Sequence, residues 1–316
     1  MVEFDKELLF ELGKFTRELR REVLEEVKEG IGIVYIIDFI ERKIFQKGYL
    51  PAFPAMVSIN EGAAHYTVFD EDRILEKGDV VKIDFGVSYK GLITDNAFTV
   101  EVETDNHRDL INAAKNSLDS ALETFDRGVL MNDIGKSVGD VVEKSGFLPI
   151  KNLTGHQMGK NILHYGLATP NYANGDKSEV PSEALFAIEP FITYKSIYVK
   201  AIRPSNILHL VKNKPVRDPI AMKVLRVIRE NFPYLPFSKR WLLDEVLNEN
   251  LKGCLLYKGF DKRKVMYGVR VLKREGILKE YDELGVEEGD FVAQFEDTVY
   301  VCDDEKVVLT RLGDDI

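Results

Sequence analysis

Cysteine and histidine are both scarce in this chain: among 316 residues there are two cysteines, Cys254 and Cys302, and five histidines. Two thiols that far apart form neither a disulfide framework nor a thiolate metal site, which fits a reducing compartment. Long apolar runs are missing as well. The longest early one, IGIVYII, gives way to Asp38, Glu41, Arg42 and Lys43, far short of the roughly 20 residues that span a bilayer. The opening MVEFDKELLF is acidic and lacks the apolar core and small-residue cleavage site of an export signal. A soluble, cytoplasmic protein with no membrane partner is expected. Internal repeats, low-complexity tracts and flexible linkers are absent too.

What is present is ordinary globular composition, 45% hydrophobic and 30% charged, enough for one large domain or two smaller ones. The net charge of −10 is uneven. Residues 211–280 hold 17 Lys and Arg against 8 Asp and Glu, a local +9 that leaves −19 elsewhere. A basic module on an acidic body suits contact with an anionic partner.

Apolar residues at three-to-four spacing (Leu8, Leu12, Phe15, Leu19, Val23) predict an amphipathic helix over 5–29, and a second follows from about Val34 to Gln46. Over 78–102 the period shortens to β-rich runs either side of SYKG, which predicts a hairpin. Helices are expected at about 107–125 and 131–145, a strand in ALFAIEPFITY, three consecutive helices between 216 and 280, and a closing strand in DFVAQFEDTVYV. Strands and helices alternate without strict βαβ spacing, so the fold class is α+β.

Four carboxylates stand where strands should be apolar: Asp84 in VVKIDFGV, Asp95 in LITDNAF, Glu189 in LFAIEPF and Glu296 in VAQFEDTVYV. With SYKG as the turn, Asp84 and Asp95 face each other across the hairpin, where like charges are destabilising. Period-two alternation puts Gln294, Glu296 and Thr298 on one face of the last strand. His156 and His164 lie nearby in the glycine-punctuated NLTGHQMGKNILHYG, eight positions apart, which does not suit a helical metal pair. Oxygen-rich sites with one or two imidazoles suit Mn, Fe, Co or Zn, and four carboxylates balance two divalent ions. The expectation is a dinuclear metal hydrolase.

The ordered set Asp84, Asp95, His156, Glu189, Glu296 resembles the five-ligand site of the methionine aminopeptidase and prolidase superfamily. AFPAMVSINEGAAHYT, KIDFGV, NLTGH, AIEPF, LPFSKRWL and AQFE resemble the type II methionine aminopeptidases in particular, and the absence of a long basic amino-terminal extension resembles their archaeal form. That resemblance implies a pita-bread α+β fold whose catalytic domain comprises 1–210 and 281–316, interrupted by a winged-helix-like helical insert over 211–280. It implies removal of the N-terminal methionine of nascent polypeptides with a small second residue, by a water bridging two divalent ions. Asp84 would chelate one ion, Asp95 and Glu296 would bridge both, and His156 and Glu189 would complete the second, with Glu189 also shuttling protons. His65 would sit near the scissile amide and His164 would hold the substrate carbonyl. Phe53, Phe191 and Gln294 would line the methionine pocket, and Tyr281 would cap it.

His107 and His209 match no motif and read as ordinary surface or core residues. The chain departs from the family in reading AHYTV, LHYG, TPN and QFEDT, so that Tyr165 and Asp297 are unusual neighbours of the site. Alternation turns Asp297 away from the metals. The loop after Phe191 lacks the usual glycine-rich text, which leaves part of the pocket unassigned. Other readings are a non-catalytic RNA- or ribosome-binding homologue and a prolidase-like dipeptidase. The insert, above all 261–275, is a candidate contact for the ribosome surface. The family suggests a monomer.

Overall fold

The computed structural model describes residues 4–69, 72–243, 261–302 and 305–313. Helices form where the periodicity puts them: Lys6–Glu26, Ile33–Gln46, Arg108–Thr124 and Met131–Lys144. The first is started by Asp5, whose carboxylate accepts the Leu8 amide at 3.1 Å. Its buried stripe, Leu9, Leu12, Leu19 and Val23, joins Ile36, Ile40 and Ile44 of the second helix in the core behind the hairpin.

The hairpin pairs Val80–Tyr89 with Leu92–Glu101, but two residues away from the register expected. Tyr89 pairs with Leu92, and the turn is Lys90-Gly91 alone. Both residues have positive φ, 50° and 86°, the two-residue geometry that matches the twist of the strands. Asp84 therefore faces Ala97 and Asp95 faces Gly86. The shift is an even one, so both aspartates keep the same face of the sheet, as diagonal rather than direct neighbours. Their repulsion is eased and not removed. Leu50–Pro51 and Met56–Ile59 pair along the other side of Val80–Tyr89.

A second sheet runs in the order Glu305–Val308, Asp297–Cys302, Glu183–Ile188, Gly155–Met158, Ala168–Thr169. Helices Arg108–Thr124 and Met131–Lys144 cover it, contributing Leu110, Leu118, Ile134 and Val138 to its core. Each half is thus a sheet backed by a pair of helices, and the ligand-bearing strands lie on the inner faces. Expected as one strand, ALFAIEPFITY is two, because Pro190 has no amide to donate: Glu183–Ile188 stops before Glu189, and Phe191–Thr193 belongs to another sheet.

A further core gathers Leu208, Val224, Ile228, Phe237, Trp241, Val269 and Leu278 around helices Pro219–Asn231 and Lys262–Arg274. Of the middle helix expected between them, the described residues hold the 3₁₀ turn Arg240–Leu242; the rest lies outside the described residues. The sequence reading assigned no strand to Lys200–Leu210, yet this long strand pairs with Leu278–Gly285 and Phe237–Ser238 and carries the subdomain. Trp241 Nε1 and Arg240 Nη2 both donate to Glu41 at 2.8 Å, pinning the subdomain to the second helix. No described helix is long and apolar enough to cross a membrane.

Candidate metal centre

Asp84, Asp95, His156, Glu189 and Glu296 converge on one cavity of about 250 Å³. One oxygen of Asp95, one of Glu296 and a nitrogen of His156 lie within 4.8 Å of one another. His156 Nε2 is 3.5 Å from Asp95 and 3.8 Å from Glu189. Gln294 joins the remaining carboxylates, its Nε2 3.2 Å from Glu189 and 3.5 Å from Asp84.

The two halves meet at the site through a short seam. Ala97 and Glu296 exchange both backbone hydrogen bonds, at 2.9 and 3.3 Å. On either side threonine hydroxyls replace the backbone. Thr298 Oγ1 accepts the Asp95 amide at 2.7 Å and donates to the Asp95 carbonyl at 2.6 Å. Thr99 Oγ1 does the same for Gln294, at 2.8 and 2.7 Å. The alternation expected for Gln294, Glu296 and Thr298 persists across an interruption at Phe295, and it brings Asp95 and Glu296 together from strands two hundred residues apart.

Without a cation this is an uncomfortable cluster. Burial, then the charge of Asp95, raises the pKa of Asp84 well above the ordinary range. Burial pushes Asp95 up to about 7. Glu189 and Glu296 are also raised well above normal, first by burial and then by the other carboxylates. Burial lowers His156 to about 4, leaving a neutral imidazole able to ligate. Asp84 Oδ1, Asp95 Oδ1, Glu296 Oε1 and His156 Nδ1 are buried with no hydrogen-bond partner. Orphaned acceptors of this kind are rare. A divalent cation bound by His156 Nε2, the nitrogen that faces Asp95 and Glu189, would satisfy the carboxylate oxygens and reverse the electrostatic cost, so the donor set fits a metal of the oxygen- and imidazole-binding class.

His65 and His164 sit on the cavity wall with Tyr281. His65 Nδ1 is 2.9 Å from the Asp282 carbonyl oxygen. A carbonyl only accepts, so Nδ1 carries the proton and Nε2 of the neutral ring is left an acceptor. His65 has φ of 66°, a strained value for a non-glycine residue, and the Tyr281 ring meets it edge-on at 5.3 Å. His164 lies at the open rim, its ring 4.3 Å from that of His156. Partial burial and the neighbouring imidazoles His156 and His65 lower its pKa.

Phe53 and Phe191 line the cavity. Gln294, expected beside them, is wholly buried behind the carboxylates and serves them instead. Opposite Asp95, Gly86 makes room for Phe53: a Cβ there would be 2.7 Å from the ring and 2.7 Å from the Thr94 carbonyl oxygen. Met56, Ile207 and Pro236 complete the apolar wall and were not singled out in the sequence. Met56 sits in a quoted motif, opposite Asp84. Ile207 belongs to the segment left unassigned, and only the pairing of Lys200–Leu210 brings it here. His107 lies elsewhere, against Tyr194 and Phe291, and His209 bonds the Tyr234 carbonyl.

This constellation is matched by a known family: residues 7–303 fit metallopeptidase family M24. The chain belongs to metallopeptidase family M24. A protein of Pyrococcus horikoshii named methionine aminopeptidase is 37% identical over 309 residues, covering 97% of this chain and 100% of its own. A methionine aminopeptidase structure from Thermotoga maritima superposes with a TM-score of 0.67 at 19% identity, over 99% of this chain and 100% of that one. The structure of a thermophilic Arx1 gives 0.78 at 18% identity, over 97% and 91%. These likenesses establish the pita-bread α+β fold, and membership of M24 implies use of divalent metal.

Proposed function

We propose that this chain is a methionine aminopeptidase, a metal-dependent hydrolase that removes N-terminal methionine from polypeptides with a small second residue. The observation that carries the proposal is the convergence of Asp84, Asp95, His156, Glu189 and Glu296 on one cavity, with buried acceptor atoms left over. The similarity to relatives of that name over nearly the full chain supports the same reading.

Those five residues would hold two ions of the Mn, Fe, Co or Zn class, which lower the pKa of water and stabilise charge on the scissile carbonyl oxygen. Phe53, Met56 and Phe191 offer an apolar slot for the methionine side chain. Glu189, on the cavity wall, would take a proton from the attacking water and pass it to the departing amine nitrogen. As water adds and the C–N bond breaks, His164 donates to the carbonyl oxygen. His65 Nε2 would accept a hydrogen bond from the scissile amide N–H. Burial keeps both imidazoles neutral at pH 7, so neither adds a positive charge beside the cations.

In this reading 1–210 and 281–316 form the catalytic domain and 211–280 a winged-helix-like insert. The chain acts as a cytoplasmic monomer. The +9 balance of the insert suits ribosomal RNA near the nascent-chain exit, and ribosome binding indifferent to salt would refute that contact.

The test is methionine release from Met-Ala-Ser by metal-free protein titrated with Mn or Co, beside Glu296→Ala. Activity that appears with metal and is lost in the variant is expected. No release by folded, metal-loaded protein would favour a non-catalytic binding protein, and cleavage of Xaa-Pro dipeptides instead would favour a prolidase-like enzyme.

A further inference from the structure

Asp297 follows the carboxylate Glu296 in sequence and faces the other way. It is fully buried. Arg20 Nη1, from helix Lys6–Glu26, donates to its Oδ1 at 2.9 Å, and Thr310 Oγ1 donates to the same oxygen at 3.0 Å. Arg311 Nη1 reaches Oδ2 at 3.3 Å, while its other nitrogen pairs with Asp119 of helix Arg108–Thr124. Two guanidinium groups thus meet two carboxylates at a point touched by helices of both halves. The aspartate that departs from the family pattern is the anion these arginines require.

The network extends to both sides of the seam. Arg20 Nη1 lies 3.4 Å from the Glu296 carbonyl oxygen. The Thr310 hydroxyl that donates to Asp297 also accepts the Thr298 amide at 2.8 Å. Thr298, through its own hydroxyl, holds the backbone of Asp95. One buried carboxylate is therefore linked to the main chain of Glu296 through Arg20 and to that of Asp95 through two threonines. Few backbone hydrogen bonds cross this seam, so side chains must fix the distance across it.

We propose that Asp297 is a positioning residue that sets the spacing of Asp95 and Glu296, and with it the affinity of the site for divalent cations. The proposal rests on the metal-dependent reading above. A buried carboxylate shared by two arginines is stiff, because any movement that unpairs it exposes a charge to a low-dielectric interior. Residues that orient metal ligands from behind change affinity or activity about 10- to 100-fold when altered.

The experiment compares wild type with Asp297→Asn and Thr310→Val, each shown to be folded by circular dichroism. Metal-free protein is titrated with Mn by calorimetry, the Co(II) absorption spectrum is recorded, and kcat and KM are measured on Met-Ala-Ser. Expected are Mn affinity about 10- to 100-fold weaker, an altered Co(II) spectrum, and a fall in kcat with KM nearly unchanged. Thr310→Ser, which keeps the hydroxyl, should restore wild-type values. Folded variants with wild-type Mn affinity and spectrum, and only a lower unfolding temperature, would reduce Asp297 to a structural ion pair and overturn the proposal. If Asp297→Asn does not fold, Thr310→Val decides, since it leaves the ion pairs intact. Wild type that binds Mn but releases no methionine would sink the aminopeptidase reading alone, leaving the affinity comparison in force.

Discussion

Replacing Asp95 by asparagine should stabilise the metal-free protein and destabilise the metal-loaded one. Asp95 is buried, and its pKa is raised from 3.8 to about 7. A raised carboxylate pKa means that the folded state holds the proton more tightly than the unfolded chain. Stability is therefore fully retained below about pH 4 and declines as pH rises towards about 7. The shift is about 3 pH units, and at 1.36 kcal/mol each the full cost is on the order of 4 kcal/mol by pH 8. Asparagine has nearly the same shape and never ionises, so it escapes that cost and also relieves its neighbours Asp84 and Glu296.

Urea unfolding of chelator-treated protein should give similar stabilities for wild type and Asp95→Asn at pH 4. At pH 8 the variant should lead by roughly 2 to 4 kcal/mol. Mn at one thousand times its Kd should reverse the order, because a ligand at that excess adds about 4.1 kcal/mol to the protein that binds it. A variant no more stable than wild type at pH 8 without metal would mean that the carboxylates are not strained in the empty cluster. The case for a built cation site would then lose its electrostatic basis.

Other changes test other parts of the site. Gln294→Leu removes the donor shared by Glu189 and Asp84 and should weaken Mn binding about 10- to 100-fold by calorimetry. His164→Ala should lower kcat by about 10²- to 10³-fold while Mn affinity stays near wild type, as expected of a donor to the carbonyl oxygen; unchanged kinetics would remove it from the mechanism. Gly86→Ala drives a Cβ into Phe53 and the Thr94 carbonyl and should cost about 1 to 3 kcal/mol in unfolding experiments, with a raised KM.

How far the sequence alone reaches depends on how local each feature is. The helices were legible because three-to-four periodicity is a property of one segment, and the ligands stood out because carboxylates are costly inside apolar strands. Asp84, Asp95, Glu189 and Glu296 could be picked out on that ground, while His156 stood in a glycine-punctuated loop and took its role from the resemblance. Hairpin register was not legible. It hangs on which two residues of SYKG take positive φ, and the choice of Lys90 and Gly91 moved Asp84 from Asp95 to Ala97. Gln294 has the alternation of a pocket residue, and only the fold turns its amide beneath Glu189.

The tertiary structure decided what joins distant segments. Thr298 grips Asp95, Thr99 grips Gln294, and Arg20 reaches Asp297 across 277 positions. Ile207 and Pro236 reach the cavity through strand pairings that no local pattern encodes. Sequence determined which chemistry the chain carries, since that is written in residue type and short-range spacing. The fold alone determined how far apart the reactive groups stand, because those distances are set by hydrogen bonds between strands about two hundred residues apart in the chain.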